Sequence, residues 1–551
     1  MMRERVGHHP AGWRAFASYP GIRGASAVVL GLCALVVGGC ASLPPGSDFA
    51  KVPSHALGAP IATSLGLQFD RAARRHDGKS AFRLLSVGVD GLLFRAQMIG
   101  AATRTIDLEY FIFRQDDTGQ LLSDALLRAA DRGVRIRLLV DDADRNDGDE
   151  QIAALSAHPN IQIRIYNPFA YRGRDELIRD LEFAFDASRL DYRMHNKLMV
   201  VDNAIALVGG RNIGDAYFQV DPESQFGDDD VFAAGPIVRK LSDSFDEYWN
   251  SALAIPVAAL DEARTSSARL AAYRVALEQH RKTMKAAGIE YARRIATGEP
   301  LASVLAGRSS LVWANARVLY DSPNKKRIED GEEAGALMHR AVMDAAKGVQ
   351  HELLIVTPFF VPGLDGVKLL SELHKRGVRV RVLTNSMEAT PEPLAQAGYM
   401  HYRRALLEHG VELYEVRARL GSARGSGESK AAAEDGHYAL HAKLFIFDRK
   451  RLYAGSMNFD ERSRRINTEM GLIIDSPELA RQAAARFDAM TSPPDSYRLA
   501  LRAGAAGGLP QIVWHTEEQG RPVGYDSEPT DGAWRKFKID LLTLLPLDGE
   551  L

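Results

Sequence analysis

Two stretches of the sequence repeat one another and decide the fold: HNKLMVVD at positions 195–202 and HAKLFIFD at 441–448. Each has the pattern His-x-Lys-x4-Asp. Each is followed, six residues further on, by Gly-x-x-Asn, which ends at Asn212 in the first copy and at Asn458 in the second. Every matching pair is 246 positions apart. One such motif is weak evidence, but two copies in register should arise by chance in fewer than about one in a million chains.

Both stretches predict a strand that carries two functional side chains at its start. Side chains alternate between the two faces of a strand, so His195 and Lys197 share one face, and the apolar run 198–201 supplies a buried strand behind them. A turn at 202–203 leads into a second apolar strand, and glycines follow where the backbone must pass close to a ligand. The second copy has the same order, so the sequence predicts two matched hairpins.

The repeat extends upstream of both hairpins. The stretch RGVRIRLL at 132–139 returns as RGVRVRVL at 376–383, and a helical pattern and an apolar strand precede each copy. Strand, helix, glycine and strand form a βαβ unit, which predicts a largely buried sheet flanked by helices in each half. We expect the alternating arginines of the second strand to face solvent near a sheet edge. The other predicted elements are strand 106–113 and helix 121–130 in the first half, and strand 353–361 and helix 369–375 in the second.

Length and composition fit a soluble protein of more than one domain. The chain has 551 residues, of which 46% are apolar and 25% are charged, and these values exclude a disordered, collagen-like or polytopic membrane protein. The predicted division is a signal peptide at 1–39, a tether at 40–80, a first half at 81–255, a helical linker at 256–308, a second half at 309–493 and a C-terminal extension at 494–551.

The charge balance and the cysteine count restrict the possible partners and cofactors. Lys and Arg number 69 and Asp and Glu 71, whereas nucleic-acid-binding proteins usually carry a basic excess that neutralises phosphates. No nucleic-acid partner is therefore expected. Cys33 and Cys40 are the only cysteines, so neither a disulfide framework nor a metal site built from several cysteines is available. No metal or other cofactor is expected, because the two His, two Lys and two Asn of the repeated motifs can supply the charge stabilisation that a metal would give.

The N-terminus resembles the signal peptide of a bacterial lipoprotein. Four arginines precede an apolar run at 25–37, and small residues then lead to Gly39-Cys40. The run is shorter than the roughly 20 residues that a transmembrane helix needs. Cys40 is therefore the predicted site of lipid attachment. The protein is expected in the cell envelope, anchored to a membrane and facing the periplasm, and the outer membrane is favoured because Ala41, and not Asp, follows Cys40.

The paired motifs resemble the hallmark of the phospholipase D superfamily, in which two His-x-Lys-x4-Asp copies form one site between two similar halves. Further stretches, AHPN at 157–160, GGRNIGDAYF at 209–218 and AGP at 234–236, are similar to the bacterial cardiolipin synthase C branch. Gly210 stands where the second copy has Ser456, which is usual in this branch. The resemblance implies an α/β fold of two similar halves, each a mixed β-sheet flanked by helices, with one composite active site between them.

The resemblance also implies a covalent mechanism. His195 would attack phosphorus to form a phosphohistidine, and His441 would protonate the departing alcohol. Cationic and amide groups would then hold the phosphoryl oxygens. The residues expected in that role are Lys197, Lys443, Asn212 and Asn458.

A nucleophilic imidazole must be neutral and held in one tautomer, so a carboxylate is expected behind each ring. The candidates are Glu469 and Asp230, which lie at comparable places after the two motifs. Asp228 and Asp229 directly precede Asp230, so they remain alternatives to it. The motif aspartates stand at strand ends, where we expect them to organise the turn more than to touch substrate. These are Asp202 and Asp448.

The same resemblance implies that a phosphatidyl group moves onto phosphatidylglycerol, with phosphatidylethanolamine as a possible donor and a membrane surface as partner. Water as acceptor would instead make the protein a hydrolysing phospholipase D. A phosphodiesterase or nuclease of the superfamily is a further alternative, supported by the basic stretch YRGR at 171–174. The non-enzyme alternative is a catalytically silent, membrane-anchored binding protein, and the intact motifs in both copies oppose it.

Overall fold

The computed structural model describes most of the chain after the predicted signal peptide. The described residues are 44–144, 149–173, 175–221, 223–261, 265–287, 289, 299–325, 337–420, 437–504, 508–530 and 532–544. Cys40 and the predicted signal peptide lie outside them. Within these ranges, no helix is both long enough and apolar enough to cross a membrane.

In the described part of the chain, eighteen strands form one mixed sheet and two further strands, β7 and β14, pair with each other. The strands are β1 (Ser80–Leu85), β2 (Thr105–Tyr110), β3 (Arg135–Asp141), β4 (Ile161–Tyr166), β5 (Lys197–Val201), β6 (Ile205–Gly209), β7 (Ser224–Gly227), β8 (Asp230–Ala234), β9 (Ala254–Pro256), β10 (Val312–Tyr320), β11 (Glu352–Val356), β12 (Arg379–Asn385), β13 (Glu412–Val416), β14 (His437–Leu440), β15 (Leu444–Phe447), β16 (Arg451–Gly455), β17 (Met470–Asp475), β18 (Ser496–Arg502), β19 (Gln511–Glu518) and β20 (Arg521–Tyr525).

The two halves of the sheet have the same plan. In the first half β2, β3 and β4 are parallel neighbours, and β5 and β6 form a hairpin antiparallel to β2. In the second half β11, β12 and β13 are parallel, and β15 and β16 form the matching hairpin beside β11. The halves join at β10, which pairs with β1 through 312–314 and with β17 through 315–320. The predicted fold class, α/β with two similar halves, is confirmed.

Helices pack against both faces of this sheet. One hydrophobic cluster draws Leu198 and Val200 from the first half and Leu444 and Ile446 from the second, so the two halves share a core. The longer helices are Ser64–Arg75, Gly88–Ala101, Asp117–Asp131, Glu176–Phe185, Ile237–Asn250, Ser267–Ala286, Leu337–Lys347, Gly363–Lys375, Pro393–Glu408, Pro477–Met490 and Ala533–Leu542. The shorter helices are Pro60–Ala62, Asp149–Leu155, Ala187–Leu190, Asp215–Phe218, Val257–Leu260, Glu299–Leu305 and Glu461–Arg465.

The prediction that the repeated arginines face solvent is wrong for the inner arginine of each strand. β3 lies between β2 and β4, and β12 lies between β11 and β13, so neither strand is an edge. Arg137 is fully buried and pairs with Asp107 and Asp246, both at 2.7 Å. Arg381 is buried and pairs with Asp488 at 2.6 Å. Acidic partners on adjacent elements make these buried charges tolerable.

Two predicted segments outside the halves are part of the folded body. The predicted tether at 40–80 includes the helix Ser64–Arg75, whose Leu65 and Phe69 are buried, so a flexible tether cannot extend to residue 80. The C-terminal extension continues the sheet of the second half, because β18 pairs with β13 and β19 pairs with β18.

Candidate active site

The motif aspartates lie at the turns, at the far ends of the strands from the histidines. Asp202 and Asn203 both have positive φ, 53° and 49°, as the two central residues of a type I′ turn require, and Ala204 N donates to Val201 O across that turn. The Asp202 carboxylate accepts the main-chain N–H groups of residues 103–105 at 2.8–3.0 Å. Asp448 accepts those of residues 350–352 in the same way. Both carboxylates are occupied by backbone and tie each hairpin to the start of its neighbouring strand.

The histidines and lysines of the two motifs come together between the halves. His195 and His441 are each 7% exposed, and the lysines are fully buried. The positive charge of Lys443 acts on His195, and that of Lys197 acts on His441, across the boundary between the halves. Each lysine also donates to the carbonyl oxygen of the histidine two residues before it, at 2.6 Å in the first copy and 2.5 Å in the second. One site is therefore built from both halves.

Each histidine contacts a carboxylate of the opposite half. His195 Nδ1 lies 2.9 and 3.1 Å from the two carboxylate oxygens of Glu469, where the sequence analysis expected that residue. His441 Nδ1 lies 2.5 Å from Asp228 Oδ2. When Nδ1 donates its proton to a carboxylate, Nε2 is the nitrogen whose lone pair can act on a substrate. In the second copy this nitrogen also lies 3.1 Å from Lys443 Nζ.

Backbone contacts between the halves hold these pairs in place. β7 and β14 run parallel and end directly before Asp228 and His441, and His441 N donates to Gly227 O at 2.8 Å. On the other side of the site, His195 N donates to Thr468 O at 2.9 Å. Each histidine is thus bonded to the residue that precedes its own carboxylate.

The prediction that Asp230 backs a histidine is wrong. Asp230 is the first residue of β8 and points toward the helix Gly88–Ala101, where it pairs with Arg95 at 2.8 Å and with Arg211 at 3.0 Å. Asp228 lies in the short connection before that strand, and its side chain reaches the other half. Both are buried acids two positions apart, so alternation along a strand could not separate them.

The glycine of the first copy makes room for the shorter carboxylate. A Cβ at Gly210 would overlap the side chain of Asp228. Its counterpart Ser456 instead donates its hydroxyl to Glu469 at 2.5 Å, and Ser463 donates to the same carboxylate at 2.8 Å. The two copies therefore differ at two positions together. The first copy combines Asp228 with Gly210, and the second combines Glu469 with Ser456.

Burial keeps both imidazoles neutral. Desolvation, helped by the two motif lysines and by Arg462, lowers the pKa of His195 well below its usual 6.5. Desolvation and Lys443 lower the pKa of His441 to about 3, although Asp228 opposes them. Neutral imidazoles with a fixed tautomer are suited to nucleophilic attack or proton acceptance.

The two carboxylates differ in acidity. Burial raises the pKa of Glu469 to about 7, although Lys197 and the hydroxyl groups of Ser456 and Ser463 oppose the shift. Burial acts on Asp228 in the same direction, but His441 and the nearby cations outweigh it and hold the pKa of Asp228 below its usual range. Asp228 is therefore the more firmly ionised of the pair.

Lysine and asparagine side chains supply donors beside the histidines. Burial lowers the pKa of Lys443 to about 8 and that of Lys197 well below 10.5. Asn212 Nδ2 donates to the Tyr217 hydroxyl at 2.9 Å. Asn458 is buried, and its Oδ1 has no hydrogen-bond partner among the described residues. Those residues also contain no group of three or more His, Cys, Asp and Glu side chains that could hold a metal ion.

Aromatic rings that the sequence analysis did not assign to the site pack against both histidines. The Phe111 ring meets His195 edge-on at 5.0 Å, and Tyr217 meets His441 edge-on at 5.2 Å. Phe226 lies 5.5 Å from the His441 ring. Tyr217 belongs to the GGRNIGDAYF stretch, which was available as a signal, whereas only the fold brings Phe111 and Phe226 to the site.

The geometry agrees with comparisons to known proteins. The family model described as cardiolipin synthase, PLD-like domain, matches this chain twice, at residues 96–249 and 340–491. Each match contains one His-x-Lys-x4-Asp motif, and together they span more than half of the chain. The chain belongs to this cardiolipin synthase family.

Curated relatives and solved structures give the extent of the likeness. The cardiolipin synthase-family chain is 34% identical over 475 residues to cardiolipin synthase C of Escherichia coli K12, covering 86% of this chain and 97% of that protein. It is 28% identical to cardiolipin synthase B of the same strain, and the match covers 68% of this chain and 72% of that protein. A phosphatidylserine synthase structure from Haemophilus influenzae Rd KW20 aligns with a TM-score of 0.48 and 15% identity, covering 78% of this chain and 91% of that one.

The family membership settles two of the predictions. The resemblance to phospholipase D-type proteins of the cardiolipin synthase C branch is confirmed. So is the prediction of an enzyme, a phosphatidyltransferase or phosphodiesterase of that superfamily.

Proposed function

We propose that this cardiolipin synthase-family enzyme makes cardiolipin by moving a phosphatidyl group onto phosphatidylglycerol through a phosphohistidine. Phosphatidylglycerol or phosphatidylethanolamine serves as the donor. The proposal is carried by the two buried histidines, each of which contacts a carboxylate of the opposite half, Glu469 at 2.9 Å and Asp228 at 2.5 Å. This arrangement supplies a nucleophile and an acid to one phosphodiester.

The unequal carboxylates support His195 as nucleophile and His441 as acid. Asp228 stays ionised and makes the shorter contact, so it stabilises an imidazolium better than Glu469, whose pKa is raised to about 7. The histidine that must carry a proton to the leaving group gains most from such a partner. A bound phosphodiester monoanion adds negative charge beside His441 and raises its pKa from the value that burial sets.

The reaction then has two balanced steps. The first step starts from the substrate complex, in which His441 has taken up a proton. His195 Nε2 attacks phosphorus, the bond from phosphorus to the headgroup oxygen breaks, and His441 gives its proton to that oxygen. In the second, His441 takes a proton from the hydroxyl of phosphatidylglycerol, the hydroxyl oxygen attacks phosphorus, and the bond to His195 breaks. His441 regains its proton in this step, so the enzyme returns to its starting state.

Donors beside the histidines hold the phosphoryl oxygens through both steps. Lys197 and Lys443 each use one proton on a histidine carbonyl oxygen, and Lys443 Nζ also lies 3.0 and 3.1 Å from the two ring nitrogens of His441. An ammonium group has three protons, so both lysines keep donor capacity for the substrate. The amide groups of Asn212 and Asn458 are assigned to the same oxygens. Charge that develops on phosphoryl oxygens in a buried site is stabilised more strongly by such fixed donors than by water.

The substrate lies in a membrane, and the proposal places the enzyme on one. Lipid attachment at Cys40 anchors it in the cell envelope, facing the periplasm, with the outer membrane favoured. The short apolar run and the Gly39-Cys40 junction support this placement.

The decisive experiment is to incubate the purified enzyme with labelled phosphatidylglycerol, with and without phosphatidylethanolamine, and to identify the products. Cardiolipin with released glycerol indicates phosphatidylglycerol as donor, and cardiolipin with released ethanolamine indicates phosphatidylethanolamine. Phosphatidic acid without cardiolipin would contradict transfer and make the protein a hydrolase. The His195→Ala variant is the control for contaminating activity.

A further inference from the structure

Two amphipathic helices turn their apolar faces to solvent instead of to the core. In the first, Glu176–Phe185, the side chains of Leu177, Leu181 and Phe185 are spaced four residues apart and are 67%, 50% and 76% exposed. Arg179, on the opposite face, is buried against the body of the protein. Folding alone gives no reason to expose such a face.

The second helix, Ala533–Leu542, lies in the C-terminal extension and has the same character. Trp534, Phe537 and Leu541 are spaced three and four residues apart, so they share a face, and they are 66%, 56% and 55% exposed. Ile539, on the opposite face, is fully buried in a small cluster with Met387. The Trp534 and Phe537 rings stack on each other at 5.5 Å, so they form one continuous aromatic surface on the exposed face.

The first helix is attached to the loop that supports His195. This loop follows β3, whose last residue, Asp141, accepts the N–H of Met194 at 2.7 Å, directly before the histidine. The next residue, Asp142, accepts the guanidinium group of Arg179 through its carbonyl oxygen. The helix therefore lies beside the site, on the first half.

The second helix is attached to the equivalent loop of the second half, which follows β12. Asn385 exchanges two hydrogen bonds with Leu440, at 2.8 and 2.9 Å, directly before His441. Two residues further along the loop, Met387 O accepts Arg535 Nε at 2.7 Å. The two helices thus flank one site from opposite halves, at the sheet edge where the parallel strands end.

The charges around the second helix favour an anionic surface. Arg535, Lys536 and Lys538 outnumber the single acid of the helix, Asp540. Lys538 Nζ lies 5.2 Å from the centre of the Trp534 ring, so a cation and an aromatic ring occupy one end of the exposed face. Tryptophan, phenylalanine and leucine beside lysine and arginine are typical of helices that lie in the headgroup region of a bilayer.

We propose that these two apolar faces form one docking surface for the lipid bilayer that contains the substrate. The docking surface is Leu177, Leu181, Phe185, Trp534, Phe537 and Leu541. It rests on the proposed function, because a phospholipid substrate must pass from the bilayer to the histidines. The first helix carries three acids, Glu176, Asp180 and Glu182, so attraction to anionic headgroups comes from the second helix, and the first contributes apolar contact.

Insertion is tested with tryptophan fluorescence and vesicles of phosphatidylglycerol and phosphatidylcholine that contain brominated acyl chains. The tryptophan fluorescence of the full-length protein should be quenched by these vesicles. The Trp534→Phe variant should lose the part of the quenching that comes from Trp534. For the first helix, Leu181→Trp in the Trp534→Phe background should restore quenching. Val275→Trp in the same background is the matched control, because Val275 is 68% exposed on the helix Ser267–Ala286, and it should remain unquenched.

Orientation on the membrane is tested by activity with two substrates. Leu177→Ser with Leu181→Ser, or Trp534→Ser with Phe537→Ser, should lower turnover of vesicle phosphatidylglycerol at least about tenfold. Cleavage of a water-soluble nitrophenyl phosphodiester should stay unchanged, because the docking surface does not reach the histidines. The same loss on both substrates would overturn the proposal and indicate a structural role.

The outcomes separate docking from the proposed function. If the wild type turns over no phospholipid but its tryptophan fluorescence is quenched by the vesicles as expected, the proposed reaction is wrong and the proposed docking surface is supported. If the enzyme is active but neither Trp534 nor Leu181→Trp is quenched, docking is overturned. Concentration-dependent dimerisation that the serine variants abolish, without quenching, would instead assign these faces to contact between copies of the chain.

Discussion

Because Asp228 is one methylene shorter than Glu469, its carboxylate reaches the opposite histidine only where the backbone of the first copy leaves space. Gly210 leaves that space, since a Cβ there would overlap Asp228. In the second copy the longer Glu469 is held by two hydroxyl groups, those of Ser456 and Ser463. The exchange at single residues therefore places a different carboxylate behind each histidine. Their pKa values then separate through their surroundings, because burial raises the pKa of Glu469 to about 7 whereas His441 and the nearby cations hold the pKa of Asp228 below its usual range.

The two histidines should fail differently when each is replaced by alanine. General acid catalysis is typically worth about 10²–10⁴-fold, and a leaving group that needs little protonation does not require it. A nitrophenyl phosphodiester should therefore recover much of the loss in His441→Ala and little in His195→Ala. Initial rates on this substrate and on phosphatidylglycerol make the comparison.

Trapping the intermediate checks the same assignment. In His441→Ala, acid-labile and base-stable phosphorylation of His195 should accumulate and be detected by mass spectrometry, because the base for the second step is missing. An adduct on His441 in the His195→Ala variant, with none on His195 in the reverse case, would show that the roles are exchanged.

The activity should fall as the pH rises through about 8. Burial lowers the pKa of Lys443 from 10.5 to about 8, so the ammonium that we propose binds the phosphoryl oxygens is present below that pH and lost above it. The value of kcat/KM reports groups of the free enzyme, so its alkaline limb should lie near 8. A Lys443→Arg variant, weaker overall, should keep its remaining activity to higher pH because a guanidinium group does not deprotonate there. An unchanged limb in that variant would assign the titration to another group.

At the level of elements, the junction between β7 and β8 determines which aspartate acts. Asp228→Asn should reduce kcat/KM by about 10–100-fold with little loss of stability, since it removes the negative charge beside His441 and the motif lysines while an amide of the same size still accepts the N–H of Asp229. Asp230→Asn should cost about 3–5 kcal/mol of unfolding free energy, because it leaves Arg95 and Arg211 buried without a counter-charge. Urea unfolding and steady-state rates distinguish the two variants. If the two variants had the same stability and lost the same activity, the assignment of Asp228 to catalysis and Asp230 to stability would be wrong.

Most features of the two hairpins and of the candidate site could be predicted from the sequence, and the predictions that were wrong have physical causes. Both strands of each hairpin, the turn at 202–203 and the duplication follow from local alternation and the repeat. The position of Asp230 in β8 and the burial of Arg137 do not, because both depend on partners distant in the chain. A residue pattern shows which face a side chain takes, but only the assembled sheet shows what lies opposite that face.

At the scale of the whole molecule, the composite site explains why the duplicated halves stay in one body. Each histidine takes its carboxylate from the other half, and the strand pair β7–β14 and the shared hydrophobic core hold the two halves in register. The sheet continues through β10 into both halves. A movement of one half relative to the other would separate both histidines from their carboxylates at once.

Attachment of the whole molecule to the membrane should depend on Cys40. Cys40→Ser removes the thiol that lipidation needs, so the protein should be released from membranes or remain as an uncleaved precursor, and mass spectrometry should find no acyl group. Cys33→Ser is the matched control, because Cys33 lies in the apolar run of the predicted signal peptide and would be removed with it, so this change should leave lipidation and fractionation unchanged. A Cys40→Ser product that is still lipidated and fully membrane-bound would contradict the anchor. Release of the variant with retained binding to phosphatidylglycerol vesicles would show that the anchor concentrates the enzyme at the membrane while the two apolar helices orient it.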